Sequence, residues 1–108
     1  MNIKTQTPGF IATDELLNYI NDHVSKLSIV SDRIIEAQVC LKVEKSDTRE
    51  NKFCEVKLVI PGNDLFASAH KQSFEEAVTT SVNALRQQVV KWKESQNAKT
   101  QRGVTIKG

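Results

Sequence analysis

The sequence predicts an α+β fold, a two-layer sandwich in which both helices pack on one face of a four-stranded sheet. Strand-like and helix-like stretches follow each other in the order β-α-β-β-β-α. Each stretch has a single apolar side, which needs a second layer to cover it. The length of 108 residues, with 39% hydrophobic and 26% charged residues, is ordinary for one globular domain. We expect that domain over residues 1–96, followed by a flexible, polar and basic tail over residues 97–108.

The first strand and first helix are predicted from residues 2–27. Asn2–Gln6 alternates around Ile3, and the Thr-Pro-Gly sequence after it ends the strand. Thr13 is a good N-cap, and the two acidic residues that follow it suit the positive end of a helix dipole. A helix over residues 13–27 then has one apolar stripe, formed by Leu16, Leu17, Ile20, Val24 and Leu27.

The second strand lies within the stretch SDRIIEAQVCLKVEK, residues 31–45. Its residues alternate between two sides from about position 34 onward, which is the period of a strand. The side opposite the apolar one is polar almost throughout, so we expect it to form the uncovered face of the sheet. The apolar side, which we expect to be covered, consists of Ile35, Ala37, Val39, Leu41 and Val43.

The rest of the domain reads as two strands and a long helix. Residues 52–60 and 65–71 predict the third and fourth strands, joined by the turn sequence PGND. Ser73 and Glu76 match a capping box, and apolar residues then recur at steps of three and four. We therefore expect a second helix from residue 73 to about residue 95.

The two cysteines are predicted to lie on opposite faces of the sheet. If the hairpin turns about Thr48 and Arg49, Val43 pairs near Cys54, while Cys40 pairs near a lysine. Cys54 then points to the core and Cys40 to the open face, so we expect no disulfide between them. Their spacing also does not fit a zinc site.

Catalysis, cofactors and membranes have no support in the sequence. His23 and His70 lack partners at a spacing typical of a nucleophile pair or a metal site, and no glycine-rich phosphate loop occurs. We therefore predict a protein that is not an enzyme and needs no metal or cofactor. No apolar run is long enough for a membrane span or a signal peptide, so a cytoplasmic protein is expected.

The charge is uneven along the chain. Residues 1–64 contain 8 Lys/Arg and 10 Asp/Glu, whereas residues 65–108 contain 7 Lys/Arg and 3 Asp/Glu. On the second helix the acidic residues come first and the basic residues last, which the helix dipole alone explains. The alternative is that the basic end contacts phosphates.

Two aromatic residues also leave alternatives open. Trp92 fits the rim of the core better than a base-stacking platform. Phe53 is expected on the open face, where it either stacks on a partner or covers the surface.

Three stretches resemble the bacterial ribosome hibernation-promoting factors, also called ribosome-associated inhibitors or sigma-54 modulation proteins, in their short form. SDRIIEAQVCLKVEK is similar to the second-strand motif of the family, and PGNDLFASA to a later strand. SFEEAVTTSVNALRQQVVKWKE is similar to its long second helix. The resemblance runs from Met1 to about Gln96, and the family has the same order of strands and helices.

The resemblance implies a ribosome-binding factor without enzymatic activity. Such a factor occupies the channel for mRNA and tRNA in the small ribosomal subunit, inhibits translation and promotes hibernation under stress or in stationary phase. Its partner is rRNA, with no membrane or small-molecule substrate, and a separate ribosome-dimerising factor is an open possibility. By resemblance the RNA-binding residues are Lys26, Arg33, Lys42, Lys45, Lys91 and Lys93. Arg86 lies one place before an arginine of the family, and Lys4, Lys57 and Lys71 are added for their face and charge.

Two alternatives remain open at this point. One is a protein-interaction module that modulates a transcription factor, as the sigma-54 name suggests. The other is a stand-alone module that binds double-stranded RNA. Glu75 and Glu76 at the start of the last helix disfavour the latter, because such modules usually have basic residues there.

Overall fold

The computed structural model describes residues 1–45 and 49–105, with side chains as far as Gln96. Within these residues the predicted order of strands and long helices is confirmed, and one short helix is added. The elements are β1 (Asn2–Gln6), α1 (Asp14–Ser25), α2 (Leu27–Val30), β2 (Glu36–Val43), β3 (Lys52–Ile60), β4 (Asn63–Lys71) and α3 (Phe74–Thr105).

The four strands form one sheet in the order β1-β2-β3-β4. β1 is parallel to β2, because the chain crosses back through α1 and α2 between them. The pairs β2–β3 and β3–β4 are antiparallel. The sheet is therefore mixed, and β1 and β4 are its edges.

Both long helices cover the same face of this sheet, as predicted. The core consists of apolar side chains from α1, α2 and α3 packed against those of β2 and β3. Its largest fully buried members include Ile20, Leu27, Leu41, Leu58 and Leu85. The expected burial of Ile35 and Val43 was wrong, since these side chains are 58% and 52% exposed. The helix layer covers the middle of the strand, Ala37 to Leu41, but not its two ends.

Both predicted helix starts are confirmed by their caps. The Oγ1 atom of Thr13 accepts a hydrogen bond from the N–H of Leu16 at 3.1 Å. The Oγ atom of Ser73 accepts one from the N–H of Glu76, also at 3.1 Å. These bonds satisfy backbone donors that the first turn of a helix leaves without a partner.

The predicted helix ends were less accurate. α1 ends at Ser25, and Leu27 belongs to α2, although it is buried as expected. The predicted end of the long helix near Ser95 was wrong, because α3 continues to Thr105. Residues such as alanine, lysine, glutamine and arginine favour a helix even without an apolar stripe, which was the signal used for the prediction. The flexibility of residues 97–108 stays a prediction. The basic side chains that gave this tail its predicted charge lie outside the described residues: Lys99, Arg102 and Lys107.

The β2–β3 hairpin has the predicted faces but a different register. Leu41 pairs with Cys54 and Cys40 with Glu55, two residues away from the predicted pairing. A shift by two residues keeps every side chain on its side of the sheet, whereas a shift by one would have reversed them. Cys54 is accordingly buried, and Cys40 is half-buried on the open face. Part of the predicted turn, residues 46–48, lies outside the described residues.

Candidate nucleic-acid interface

The ten predicted RNA-binding residues lie at five places in the fold rather than in one patch. Arg33 and Lys93 meet beside α2. Arg86 and Lys91 lie together on the outer side of α3. Lys4 and Lys57 share the open face of the sheet. Lys26 lies at the junction of α1 and α2. The hairpin end of the sheet has Lys42, Lys45 and Lys71.

Arg33 and Lys93 are brought together by contacts between distant parts of the chain. The Nζ atom of Lys93 donates a hydrogen bond to the backbone oxygen of Val30 at 2.7 Å. The guanidinium group of Arg33 lies 5.0 Å from the centre of the Trp92 ring, a cation–π contact. We call Arg33, Trp92 and Lys93, together with the α2–β2 segment of residues 28–32, the Trp92 flank.

Trp92 separates two hollows. The first has a volume of about 400 Å³ and lies between α3 and the α2–β2 segment, with both cations in its wall. The second, of about 520 Å³, lies between α3 and the β3–β4 turn at Pro61–Asn63. The ring is half-buried and packs against the core, so its predicted place at the core rim is confirmed. Stacking of a base on Trp92 stays a prediction, and the ring lines both hollows.

The positive charge of the Trp92 flank has little compensation. In the described part of the chain, no carboxylate lies within ion-pair distance of Arg33 or Lys93. Asp32 also borders the first hollow but is exposed. Two cations in the wall of a concavity favour an anionic partner there.

The open face of the sheet is different, because two of its lysines, Lys4 and Lys57, have carboxylate partners. The Nζ atom of Lys4 lies 3.3 Å from a carboxylate oxygen of Glu36, and that of Lys57 lies 3.5 Å from a carboxylate oxygen of Asp64. Gln38 donates a 2.6 Å hydrogen bond to Glu36, and this bond together with the charge of Lys4 lowers the pKa of the Glu36 carboxyl. The carboxylate is thus well stabilised in its charged form.

The described residues of the open face include more carboxylates than lysines. The alternation of side chains along the paired strands places on this face the carboxylates of Glu36, Glu44, Glu55 and Asp64 and the lysines Lys4, Lys42 and Lys57. RNA contact by the three lysines stays a prediction, but this balance of charges does not favour it. Paired opposite charges of this kind are typical of a solvated protein surface.

Aromatic groups on the open face are partly covered by their neighbours. Phe53 lies on this face, as predicted, with its ring centre 4.7 Å from that of His70. His70 also pairs with the carboxylate of Glu44. Phe66 is more exposed and lies beside Lys57, whose Nζ atom is 5.9 Å from the ring centre. Stacking by Phe53 on a partner stays a prediction.

His23 has a local structural role. Its Nδ1 atom lies 2.9 Å from the backbone oxygen of Tyr19, and the two rings are stacked with their centres 3.9 Å apart.

Among the described residues there is no group of three or more His, Cys, Asp or Glu side chains that could hold a metal ion. Along the same part of the chain, none of the helices has the length and apolar character that crossing a membrane requires.

Lys71 lies on the helix-covered side of the sheet, not with Lys4 and Lys57. Its cross-strand partner is Lys52, and both share the side of Cys54 and Ala69. Like charges directly opposite each other are unfavourable, and the Nζ atom of Lys52 donates a 2.9 Å hydrogen bond to the side chain of Asn51. Lys52 was not among the predicted RNA-binding residues, although its even spacing from Cys54 places it on this side of the sheet.

Arg86 and Lys91 form a second basic patch, on the outer side of α3. They border a shallow groove with Gln87, Val90 and Glu94. Positions 91 and 93 are separated by roughly 200° around a helix axis, so Lys91 and Lys93 lie on different sides of α3. A ligand in contact with both must wrap around the helix.

The sequence matches a known family over residues 3–97, described as "Sigma 54 modulation protein / S30EA ribosomal protein". A ribosome hibernation promoting factor from Azotobacter vinelandii is 31% identical over 84 residues, which cover 78% of this chain and 75% of the relative. One from Pseudomonas putida is 29% identical over 86 residues, or 80% of each chain.

Two solved structures have the same fold. The N-terminal domain of Protein Y from Thermus thermophilus superposes with a TM-score of 0.74 at 22% identity, covering 85% of this chain and 99% of that one. A ribosomal subunit interface protein from Coxiella burnetii superposes with a TM-score of 0.76 at 17% identity, covering 87% and 99%. At these identities the likeness supports the fold alone.

Proposed function

This chain belongs to the Sigma 54 modulation protein / S30EA ribosomal protein family, and from that premise we propose that it is a non-enzymatic ribosome-binding factor of the cytoplasm. It binds the rRNA of the small subunit in the channel for mRNA and tRNA, inhibits translation and promotes hibernation of ribosomes. The relatives from Azotobacter and Pseudomonas, which are named ribosome hibernation promoting factors, support this proposal.

The observation that carries the proposal is the convergence of Arg33 and Lys93 on the Trp92 flank. The two residues lie 60 positions apart in the sequence, and the fold holds both in the wall of one hollow without a carboxylate partner in the described residues. Arginine and lysine bind phosphate through charge-assisted hydrogen bonds, and structured RNA is recognised largely through its shape and backbone. Lys26, Arg86 and Lys91 are exposed and extend the basic surface along α1 and α3.

Co-sedimentation of the protein with isolated small ribosomal subunits over a series of salt concentrations tests the proposal. Each phosphate contact contributes roughly 0.7 to 0.9 to the slope of log affinity against log salt concentration. We expect a slope of several units. Absence of binding at low salt, by a protein that is folded, would contradict the proposal.

Charge reversal then identifies the residues involved. Lys93→Glu and Lys91→Glu should each weaken binding and lower the slope by about one unit or more, because each change removes a phosphate contact and adds a repulsion. Arg49→Glu is a suitable control, since Arg49 is exposed at the opposite end of β2. Equal effects of all three variants would point to a general effect of net charge instead of a defined surface. An in vitro translation assay with the same variants measures whether loss of binding also removes inhibition.

The open face of the sheet supports a second candidate, a protein-interaction module that acts on a transcription factor. Its ion pairs leave less free positive charge for phosphates, and the exposed Phe66 belongs to a residue type that is enriched in protein interfaces. This candidate predicts association that survives nuclease treatment and depends little on salt. Association lost on nuclease treatment would exclude it.

A further inference from the structure

We propose that the first hollow of the Trp92 flank binds a single unstacked nucleotide of single-stranded RNA. The base stacks against the Arg33–Trp92 pair, and its phosphate lies between Arg33 and Lys93. The proposal deepens the proposed function, because it rests on an RNA partner and assigns one nucleotide of that RNA to one place in the protein.

The Arg33–Trp92 pair supplies a platform on which a base can stack. The guanidinium carbon of Arg33 lies over the Trp92 ring, 5.0 Å from the ring centre, and both groups are planar. Bases that leave the stack of single-stranded RNA bind on aromatic rings and on arginine planes. Ser31 orders the adjoining turn. It is buried, and its Oγ atom accepts a 3.2 Å hydrogen bond from the backbone N–H of Arg33. The platform is therefore in place before a ligand arrives.

Donors for a phosphate remain available on the two cations. The ammonium group of Lys93 has three N–H bonds and uses one on the backbone oxygen of Val30. That bond fixes the side chain across the hollow and leaves two donors. The guanidinium group of Arg33 has five N–H bonds, and no carboxylate of the described residues lies within ion-pair distance of it. A phosphate between the two groups receives charge-assisted hydrogen bonds from both.

The rest of the hollow suits the base and sugar. Its volume of about 400 Å³ lies in the range typical of small-ligand sites. Ile29 borders the hollow and is 84% exposed, so a base that covers this side chain removes apolar surface from water. The carboxylate of Asp32 repels a phosphate but accepts hydrogen bonds from the N–H groups on a base edge. These features orient the nucleotide with its phosphate toward Arg33 and Lys93.

The test uses Trp92 as its own reporter, because it is the only tryptophan in the chain. Titration of the full-length protein with a single-stranded RNA hexamer should quench Trp92 fluorescence in a saturable way. Inorganic phosphate alone should not produce the same quenching, since it brings no base. Absence of saturable quenching by the hexamer, or equal quenching by phosphate, overturns the proposal.

Matched variants locate the site. Arg33→Gln and Lys93→Gln should each weaken hexamer binding on the order of tenfold, through loss of charge-assisted hydrogen bonds. Arg49→Gln removes the same charge at the far end of the sheet and should leave the affinity within about twofold, because an exposed and distant charge contributes little. Circular dichroism establishes that the variants are folded. Equal weakening by all three variants contradicts a defined site.

Sedimentation with small subunits separates this proposal from the proposed function. Subunit binding without quenching by the hexamer means that the ribosomal function stands and the nucleotide site is wrong. Saturable quenching, weakened by Arg33→Gln and Lys93→Gln, without subunit binding means that the site is correct and the ribosomal assignment is wrong.

Discussion

At the scale of single residues, the two cysteines have different chemistry because the sheet separates them. Burial raises the pKa of the Cys54 thiol to about 11, whereas Cys40 lies half-buried on the open face. Thiolates, not thiols, react with disulfide reagents. We expect one thiol of the native protein, Cys40, to react with Ellman's reagent, and Cys54 to react only after unfolding. Cys40→Ser should abolish the native reaction, and two thiols of equal native reactivity would contradict the burial of Cys54.

The same burial predicts how stability depends on pH. The folded-state pKa of Cys54 lies above the ordinary value of 9.0, so the folded state favours the neutral thiol. Its contribution to the free energy of unfolding is complete below about pH 9 and is lost as the pH rises toward about 11. The free energy of unfolding of Cys54→Ala, measured in denaturant titrations, should therefore depend less steeply on pH in this window than that of the parent protein. If the free energies of unfolding of the two proteins depend equally on pH, the buried Cys54 thiol is not the cause of the change.

At the scale of elements, the cap of α1 is the clearest local determinant of the fold. Replacement Thr13→Ala leaves the N–H of Leu16 without its side-chain acceptor and should lower the free energy of unfolding by about 1 kcal/mol. Thr80→Ala is the matched control, since Thr80 is exposed within α3 and alanine favours a helix. Denaturant unfolding should show a loss for the first variant and little change or a small gain for the second. A loss of similar size in both would mean that the cap is not the cause.

The long helix shows where local sequence signals are weak. The cap at Ser73 and the apolar stripe predicted its start and its buried side, but the stripe ends near Trp92 while the helix continues to Thr105. An apolar stripe reports the part of a helix that is packed, so it cannot report a part that extends beyond the core. The added α2 was missed for a related reason, because four residues are too few for a periodic pattern.

At the scale of the whole molecule, the structure separates paired from unpaired positive charge. Arg33→Gln with Lys93→Gln removes two cations without carboxylate partners among the described residues, and Lys4→Gln with Lys57→Gln removes two cations that have them. The first double variant should lower the salt slope of subunit binding by about two units, and the second should have a clearly smaller effect. A larger effect of the second pair would place the RNA on the open face of the sheet.

The sequence by itself determined the fold class, the order of the main elements and the face on which most strand residues lie. These properties follow from the side-chain periods of two residues in strands and 3.6 residues in helices, which are local features of the sequence. A strand pairing that is wrong by two residues leaves the faces of the side chains unchanged. Only the tertiary structure decided which cations are paired and which are not, the meeting of Arg33 with Trp92, and the side of the sheet for Lys71. Such contacts join residues up to some 60 positions apart, and their distances depend on how the layers pack. A pattern along the chain contains no such distances, so the candidate site became visible only in the folded molecule.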